Sequence, residues 1–284
     1  MTLAISICSY SFHQLLASGR QDMFRYIRDC KELGCTQLDP WMAHLEPIQA
    51  ACSEVRKVPY PERAMSFLTS EEVGYLAAVR RAGDEVGLPF GCLAVDGAHM
   101  YERELSARAA NRAVAYRWLD VAAILGCSQV RIDTGGTHEM PDEQFAIIVQ
   151  GYKDVVARAA ERKLTVIMEN HWGASQIPAN CVRVLNAVPG LGLLWDSFNF
   201  HPHRDIPARK SGREVLAPYA ALSHIKTFAF DAQGDEPYED IPHALACLKA
   251  ANYHGTLGIE SCPPEGQDEI EAVRKTIALL KKLS

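Results

Sequence analysis

Leu164-Thr165-Val166-Ile167-Met168-Glu169 is a short apolar run that stops on a carboxylate. Its lack of polar alternation is what a parallel strand covered on both faces requires. The terminal charge is costly to desolvate unless something pairs with it. The pattern recurs. Leu191-Gly192-Leu193-Leu194-Trp195 ends on Asp196, Thr256-Leu257-Gly258-Ile259 ends on Glu260, and Leu222-Ser223-His224-Ile225-Lys226 carries a histidine inside. Two glutamates, an aspartate and a histidine supply oxygen and nitrogen donors for a hard or borderline divalent cation. Glu169, Asp196, His224 and Glu260 are therefore expected to hold one metal ion at the mouth of a barrel. A set of three oxygens and one nitrogen favours Mn²⁺, with Mg²⁺, Co²⁺ and Zn²⁺ as alternatives. Read singly, Glu169 would be an ion-pair partner of Lys226, Asp196 a helix cap and His224 a core histidine. Their joint placement at strand ends outweighs those readings.

Working outward, strand-like runs at 3–8, 36–39, 90–95, 128–133, 164–169, 191–196, 222–228 and 256–260 alternate with helical periodicity. One amphipathic stretch carries Val114, Trp118, Val121 and Leu125, another Phe145, Ile148, Tyr152 and Val155, and the last Ile270, Val273, Ile277 and Leu280. Steps of three and four residues put these side chains on one helix face. Eight strands in 284 residues give about 36 residues per unit, the spacing of a (β/α)₈ TIM barrel. The expected architecture is α/β, a single domain over residues 1–284, with a lid-like insertion at about 40–69. The first strand is followed by Ser9-Tyr10-Ser11-Phe12-His13 rather than a glycine fingerprint, so no dinucleotide fold is indicated. Gly34, Gly87, Gly126 and Gly192 fall in helix-to-strand connections, as glycine at helix C-termini does. Residues 197–213 form a local basic loop, with His201, His203, Arg204, Arg209, Lys210 and Arg213.

The formal net charge is −6 with no long basic block, which disfavours nucleic acid as a partner. No apolar run approaches the length of a membrane helix, about 20 residues, and the N-terminus lacks a signal-peptide pattern. Nine scattered cysteines without a C-x-x-C spacing fit a reduced, cytoplasmic protein. Neither a nucleic acid nor a membrane is expected as partner, and a homo-oligomer is left open.

Glu169-Asn170-His171, Asp196-Ser197-Phe198-Asn199, His224-Ile225-Lys226 and Glu260, in this order and each at a buried strand end, resemble the xylose isomerase-like TIM-barrel superfamily, its sugar phosphate isomerase/epimerase family in particular. The resemblance spans all eight units, with the specific motifs in the second half. It implies that one divalent ion sits on the residues matching Glu169, Asp196, His224 and Glu260, polarising a ketone and its neighbouring hydroxyl. It also implies that the two glutamates exchange the intervening proton as base and acid. The chain departs from the ketose 3-epimerases at Asn199, where they carry a histidine, and at Lys226, near which they carry an arginine.

Lys226 shares the inward face of its strand with His224 and is expected to steady a substrate oxygen. With Glu169 and Glu260 it completes the catalytic set. His171, Asn199, His99, His138 and Trp41 are candidate substrate-binding residues. The reading is a divalent-metal-dependent carbohydrate isomerase or epimerase that abstracts a proton beside a carbonyl of a small-molecule sugar. The alternative is a sugar or polyol dehydratase or lyase, including one that eliminates from a keto-glycoside; a spare acid such as His138 or His99 would favour it. An endonuclease IV-like nuclease and a non-catalytic sugar-binding barrel rank below both.

Overall fold

The computed structural model describes residues 3–55 and 67–284. Among them are seven strands: β1 (Ile5–Ile7), β2 (Cys92–Val95), β3 (Gln129–Ile132), β4 (Thr165–Glu169), β5 (Gly192–Asp196), β6 (Ala220–Thr227) and β7 (Leu257–Ser261). They form one sheet in the order β1-β7-β6-β5-β4-β3-β2, with every pair parallel. The helices are α1 (His13–Ala17), α2 (Met23–Glu32), α3 (Glu46–Val55), α4 (Ser70–Val86), α5 (Leu105–Leu125), α6 (Asp142–Ala160), α7 (Pro178–Ala187), α8 (Ile206–Leu216), α9 (Ile241–Ala250) and α10 (Glu269–Leu283).

Seven regular strands replace the eight expected. The segment 36–41 lies between the two edge strands and exchanges backbone hydrogen bonds with the chain on both sides, but its pairing amounts to isolated bridges, Cys8 to Asp39 on one side and Leu38 to Phe90 and Trp41 to Ala94 on the other. Side chains interrupt its ladder. Ile5 N donates to Thr36 Oγ1 rather than to a carbonyl, Asp39 N donates to Tyr26 Oη, and Asp39 Oδ1 accepts from Cys92 N. Pro40 has no N–H to give. The segment thus takes the place of a strand without the repeated backbone pairing that defines one.

The helical faces expected from sequence pack inward. Val114, Trp118, Val121 and Leu125 of α5, Ile148, Tyr152 and Val155 of α6, and Val273, Ile277 and Leu280 of α10 join one core cluster, against which Phe145 and Ile270 lie partly buried. Gly87 and Gly126 close α4 and α5 in the left-handed conformation. Gly192 does not act as a turn. It opens β5, where a Cβ would come within 2.9 Å of the Ile167 side chain, and Gly190, at φ 87°, takes the left-handed position instead. Of the expected insertion at 40–69, residues 56–66 lie outside the described residues. The remainder holds a 3₁₀ turn (Met42–His44) and α3. No helix among the described residues is long and apolar enough to cross a membrane.

His44 is buried with Nδ1 3.0 Å from Ser9 Oγ, and its Nε2 has no hydrogen-bond partner. Burial lowers its pKa to about 4, with Asp22 offsetting little of the effect. The unfolded chain therefore takes up a proton between about pH 6.5 and 4 that the folded chain resists, and stability must fall as the pH drops through that window. The lost stability is on the order of 3 kcal/mol. Urea midpoints at pH 7.5 and 4.5 should diverge less in His44→Gln than in wild type. An equal pH response in the two proteins would mean that His44 is not held neutral.

Candidate metal centre

Register brings the chemistry together. In the parallel ladders Asp196 stands opposite His224, and Lys226 stands opposite Glu260. Glu169 closes β4, Asp196 closes β5, and Glu260 is the penultimate residue of β7. All four expected ligands therefore lie towards the C-terminal ends of their strands, the end at which barrel enzymes place their chemistry. Asn170 ties two of these ends: its Nδ2 donates to Asp196 O at 2.9 Å and its Oδ1 accepts from Asp196 N at 2.8 Å. Ser197 links the next pair, donating N–H to His224 O and accepting from Lys226 N, each at 2.9 Å. Gly258 leaves room for the histidine, since a Cβ there would meet Ser223 O at 2.4 Å and His224 Cδ2 at 3.0 Å.

Donor atoms of Glu169, Asp196, His224 and Glu260 all lie within 4.8 Å of one another, and all four residues are buried. His224 Nδ1 faces both glutamates, 2.9 Å from Glu260 Oε2 and 3.8 Å from Glu169 Oε1. Lys226 Nζ lies 2.9 Å from Glu260 Oε1 and 3.5 Å from Asp196 Oδ2, and donates to Asn199 Oδ1 at 3.1 Å. Lys226 thus pairs with Asp196 and Glu260, while Glu169 meets Arg131, with Nε 3.1 Å from Oε2.

Arg131 was not expected at the site. It sits in β3 with Nη1 2.7 Å from Asp96 Oδ1 and 3.0 Å from Asp133 Oδ2. Asp133 in turn faces His171 Nδ1 at 3.1 Å, and Asp96 accepts from Trp41 Nε1 at 2.6 Å. The signal was present in the sequence: an arginine between the apolar Val130 and Ile132, two residues before Asp133. Charge at that spacing on a strand shares one face.

The residues fit a divalent cation. Asp196 Oδ1 accepts from the N–H groups of Phe198 and Asn199, yet Oδ2 is buried without a hydrogen-bond partner. Asp96, Asp133, Glu169, Asp196 and Glu260 crowd around two permanent cations among the described residues, Lys226 and Arg131. Carboxylates this close disfavour one another's ionised forms, and a bound cation would relieve that repulsion. The protein's own charges divide the two glutamates. Burial raises Glu169, with His171 and Arg131 offsetting part of the rise. Burial would raise Glu260 as well, but Lys226 and His224 outweigh it and hold that carboxyl well below the usual range. His171, flanked by Glu169 and Asp133, is pushed up to about 9 against its burial.

Above the cluster opens a cavity of about 350 Å³, whose wall includes Glu260, Lys226, Asn199, Arg131, His171 and Asp96 together with Cys8, Cys262, Tyr10, Trp41, Trp172, Phe198 and Phe228. Among the candidate substrate-binding residues, His171, Asn199 and Trp41 reach this wall. His99 and His138 do not. His99 Nε2 is 2.6 Å from Glu102, and His138 Nε2 is 2.8 Å from Gln176 Oε1 with its ring against that of His201. The basic loop is also not an open cationic patch, because Arg209 and Arg213 are buried and both pair with Glu239.

Residues 27–283 match the sequence model of the xylose isomerase-like TIM barrel family, and the chain belongs to that family. Solved structures share the fold at low identity. A 3-keto-D-glucoside 4-epimerase from E. coli is 16% identical with a TM-score of 0.67, over 92% of this chain and 95% of its own. An L-ribulose 3-epimerase gives 12% and 0.72, over 99% and 94%. The IOLI protein, with a bound zinc atom, gives 14% and 0.69, over 99% and 98%. No curated protein matches the sequence significantly.

Replacing Asp196 by Asn keeps an oxygen for the Phe198 and Asn199 N–H groups but removes a charged donor. Affinity for Mn²⁺ or Zn²⁺, measured by isothermal titration calorimetry, should fall by more than about tenfold, the scale on which even outer partners of metal ligands act. The metal-free Tm should stay level or rise, because one of several crowded carboxylates has gone. Unchanged affinity with a fall in Tm would mark Asp196 as a structural residue.

Proposed function

We propose that this protein is a divalent-metal-dependent carbohydrate isomerase or epimerase that removes the proton beside a sugar carbonyl. The convergence of Glu169, Asp196, His224 and Glu260 beneath an aromatic-walled cavity carries this reading. Those four residues would hold one ion, whose chemistry is to polarise the carbonyl and its neighbouring hydroxyl.

Glu260 is the base. It faces the cavity, and Lys226 and His224 keep it ionised by pairing with its two oxygens. A carboxylate fixed in this way at the cavity wall takes the proton from the carbon beside the carbonyl and can return it. Lys226 lies against the same wall with its ammonium within reach of the site, where it steadies charge developing on the substrate oxygen. Glu169, the second glutamate of the quartet, is the complementary group that exchanges the proton with Glu260. Asn199 donates Nδ2 to Glu169 Oε1 at 3.4 Å and accepts from Lys226, which keeps both in register. His171, Asn199 and Trp41 supply polar and aromatic contacts to a small carbohydrate. Elimination begins with the same proton, but the histidines that would serve as its spare acid, His99 and His138, are engaged away from the cavity.

A panel of free ketoses and keto-glycosides, incubated with metal-loaded protein in D₂O, tests this. Solvent deuterium should enter the carbon beside the carbonyl, as read by proton NMR, without loss of water or aglycone. Glu260→Gln, which keeps an amide oxygen but no base, should lower the rate by more than about 10²-fold, the scale of general acid–base contributions. Turnover that retains the substrate hydrogen with no primary isotope effect would point to hydride shift or hydrolysis instead.

A further inference from the structure

The cavity above the ligand cluster grades from a polar, buried part to an aromatic, open one. Lys226 and Glu260 on its wall are buried, whereas Tyr10, Trp41, Phe198 and Phe228 are half-buried and Trp172 is 60% exposed. Four of these five rings pair off. Tyr10 meets Trp41 edge-on at 5.1 Å, and Phe198 meets Phe228 edge-on at 4.8 Å. Among the described residues, the ring beside Trp172 is that of its chain neighbour His171, at 4.6 Å. The indole is nevertheless held by a tight turn. Gly173, at φ 58°, lies so close to the loop after β3 that a Cβ would come within 2.2 Å of Gly136 O. Ser175, 1% exposed, donates Oγ to Trp172 O and accepts from His171 N, each at 3.1 Å. A single exposed tryptophan is ordinary on a protein surface. Fixed on the wall of a substrate cavity, it offers a broad flat face at little cost in conformational entropy. The cavity volume of about 350 Å³ falls within the range of sites that bury drug-sized ligands, roughly 300–1,000 Å³, and a lone hexose is smaller than these.

We propose that the substrate is a glycoside: the reacting sugar sits at the polar end of the cavity, and the ring attached to it, an arene or a second sugar, lies against Trp172. The inference rests on the carbohydrate reading of the site and narrows it to sugars that carry a second ring. An arene presents its π-face and a pyranose its C–H face, and either packs on an indole. Lys226 and Glu260 act on the first ring alone. The second ring contributes binding without entering the chemistry, which is how remote parts of a substrate place its reacting centre. A free ketose would leave Trp172 in water.

Matched sets built on D-glucose, D-galactose, D-mannose and D-xylose test this by isothermal titration calorimetry of the full-length protein in the presence of Mn²⁺. Each set holds the methyl glycoside, the 4-nitrophenyl glycoside and a disaccharide with that sugar at its non-reducing end. In at least one set the 4-nitrophenyl glycoside or the disaccharide should bind about tenfold tighter than the methyl glycoside, and the tighter of the two identifies the second ring. Trp172→Ala should bring that ratio of affinities close to one, and Trp172→Phe should keep most of it. Tyr238→Ala, which removes an exposed aromatic outside the cavity wall, should leave the ratio unchanged. A panel in which no ringed glycoside outbinds its methyl partner, including one in which nothing binds, would overturn the proposal. So would a preference that survives Trp172→Ala. A preference lost in Trp172→Ala, with no solvent deuterium entering the keto forms of these compounds, would sink the isomerase reading and leave the Trp172 subsite standing.

Discussion

Three carboxylates buried within reach of one imidazole set the terms for the rest of this structure. Glu169, Asp196 and Glu260 bring donor oxygens within 4.8 Å of one another, so like charges face each other across the cluster. Lys226 and Arg131 answer part of that repulsion, and they divide the work. Lys226 pairs with Asp196 and Glu260 on one side, and Arg131 meets Glu169 on the other. The charge these two cations leave over is what would suit the cluster to a divalent cation. It also explains why removal of a carboxylate there need not destabilise the protein, whereas removal of a lone buried partner usually does.

Parallel pairing supplies the precision. With Asp196 opposite His224 and Lys226 opposite Glu260, a one-residue slip in either ladder would turn these side chains to the other face of the sheet. Polar fastenings at the strand ends resist that slip: the two Asn170 bonds to the Asp196 backbone, the Ser197 links to His224 and Lys226, and Arg213 Nε donating to Ser197 O at 2.7 Å from α8. Arg213 of the basic loop thus serves the strand ends. Arg213 and Arg209 both close on Glu239.

Much of this was legible in the chain because buried parallel strands announce themselves as unbroken apolar runs, and a charge ending such a run needs a reason. Hence the convergence of Glu169, Asp196, His224 and Glu260, with Lys226 beside them, was readable in the chain. Segment 36–41 misled for a physical reason. Its composition is that of a strand, but Tyr26 Oη takes the Asp39 N–H, and the Thr36 and Asp39 side chains take the N–H groups of Ile5 and Cys92 on the flanking strands. Arg131, Asp96 and Asp133 were missed because their partners lie on other strands and loops, and sequence spacing alone does not show that Arg131 meets Glu169 across the sheet. Histidine type alone does not bring His99 and His138 to the cavity wall. Each stands near the correct end of the barrel, yet each finds a closer partner, Glu102 or Gln176.

The division between Glu260, exposed to the cavity and held ionised, and Glu169, buried behind Arg131, gives the site a handedness that a symmetric pair of glutamates would lack. Whether these residues share one ion is open to direct measurement, by an anomalous-difference map of a crystal soaked with Co²⁺ and recorded at the cobalt edge. One strong peak should lie ~2.0–2.6 Å from donor atoms of Glu169, Asp196, His224 and Glu260. No peak among these four side chains, with Lys226 and Arg131 still closed on the carboxylates, would contradict a metal centre and leave a buried ion-pair network in its place.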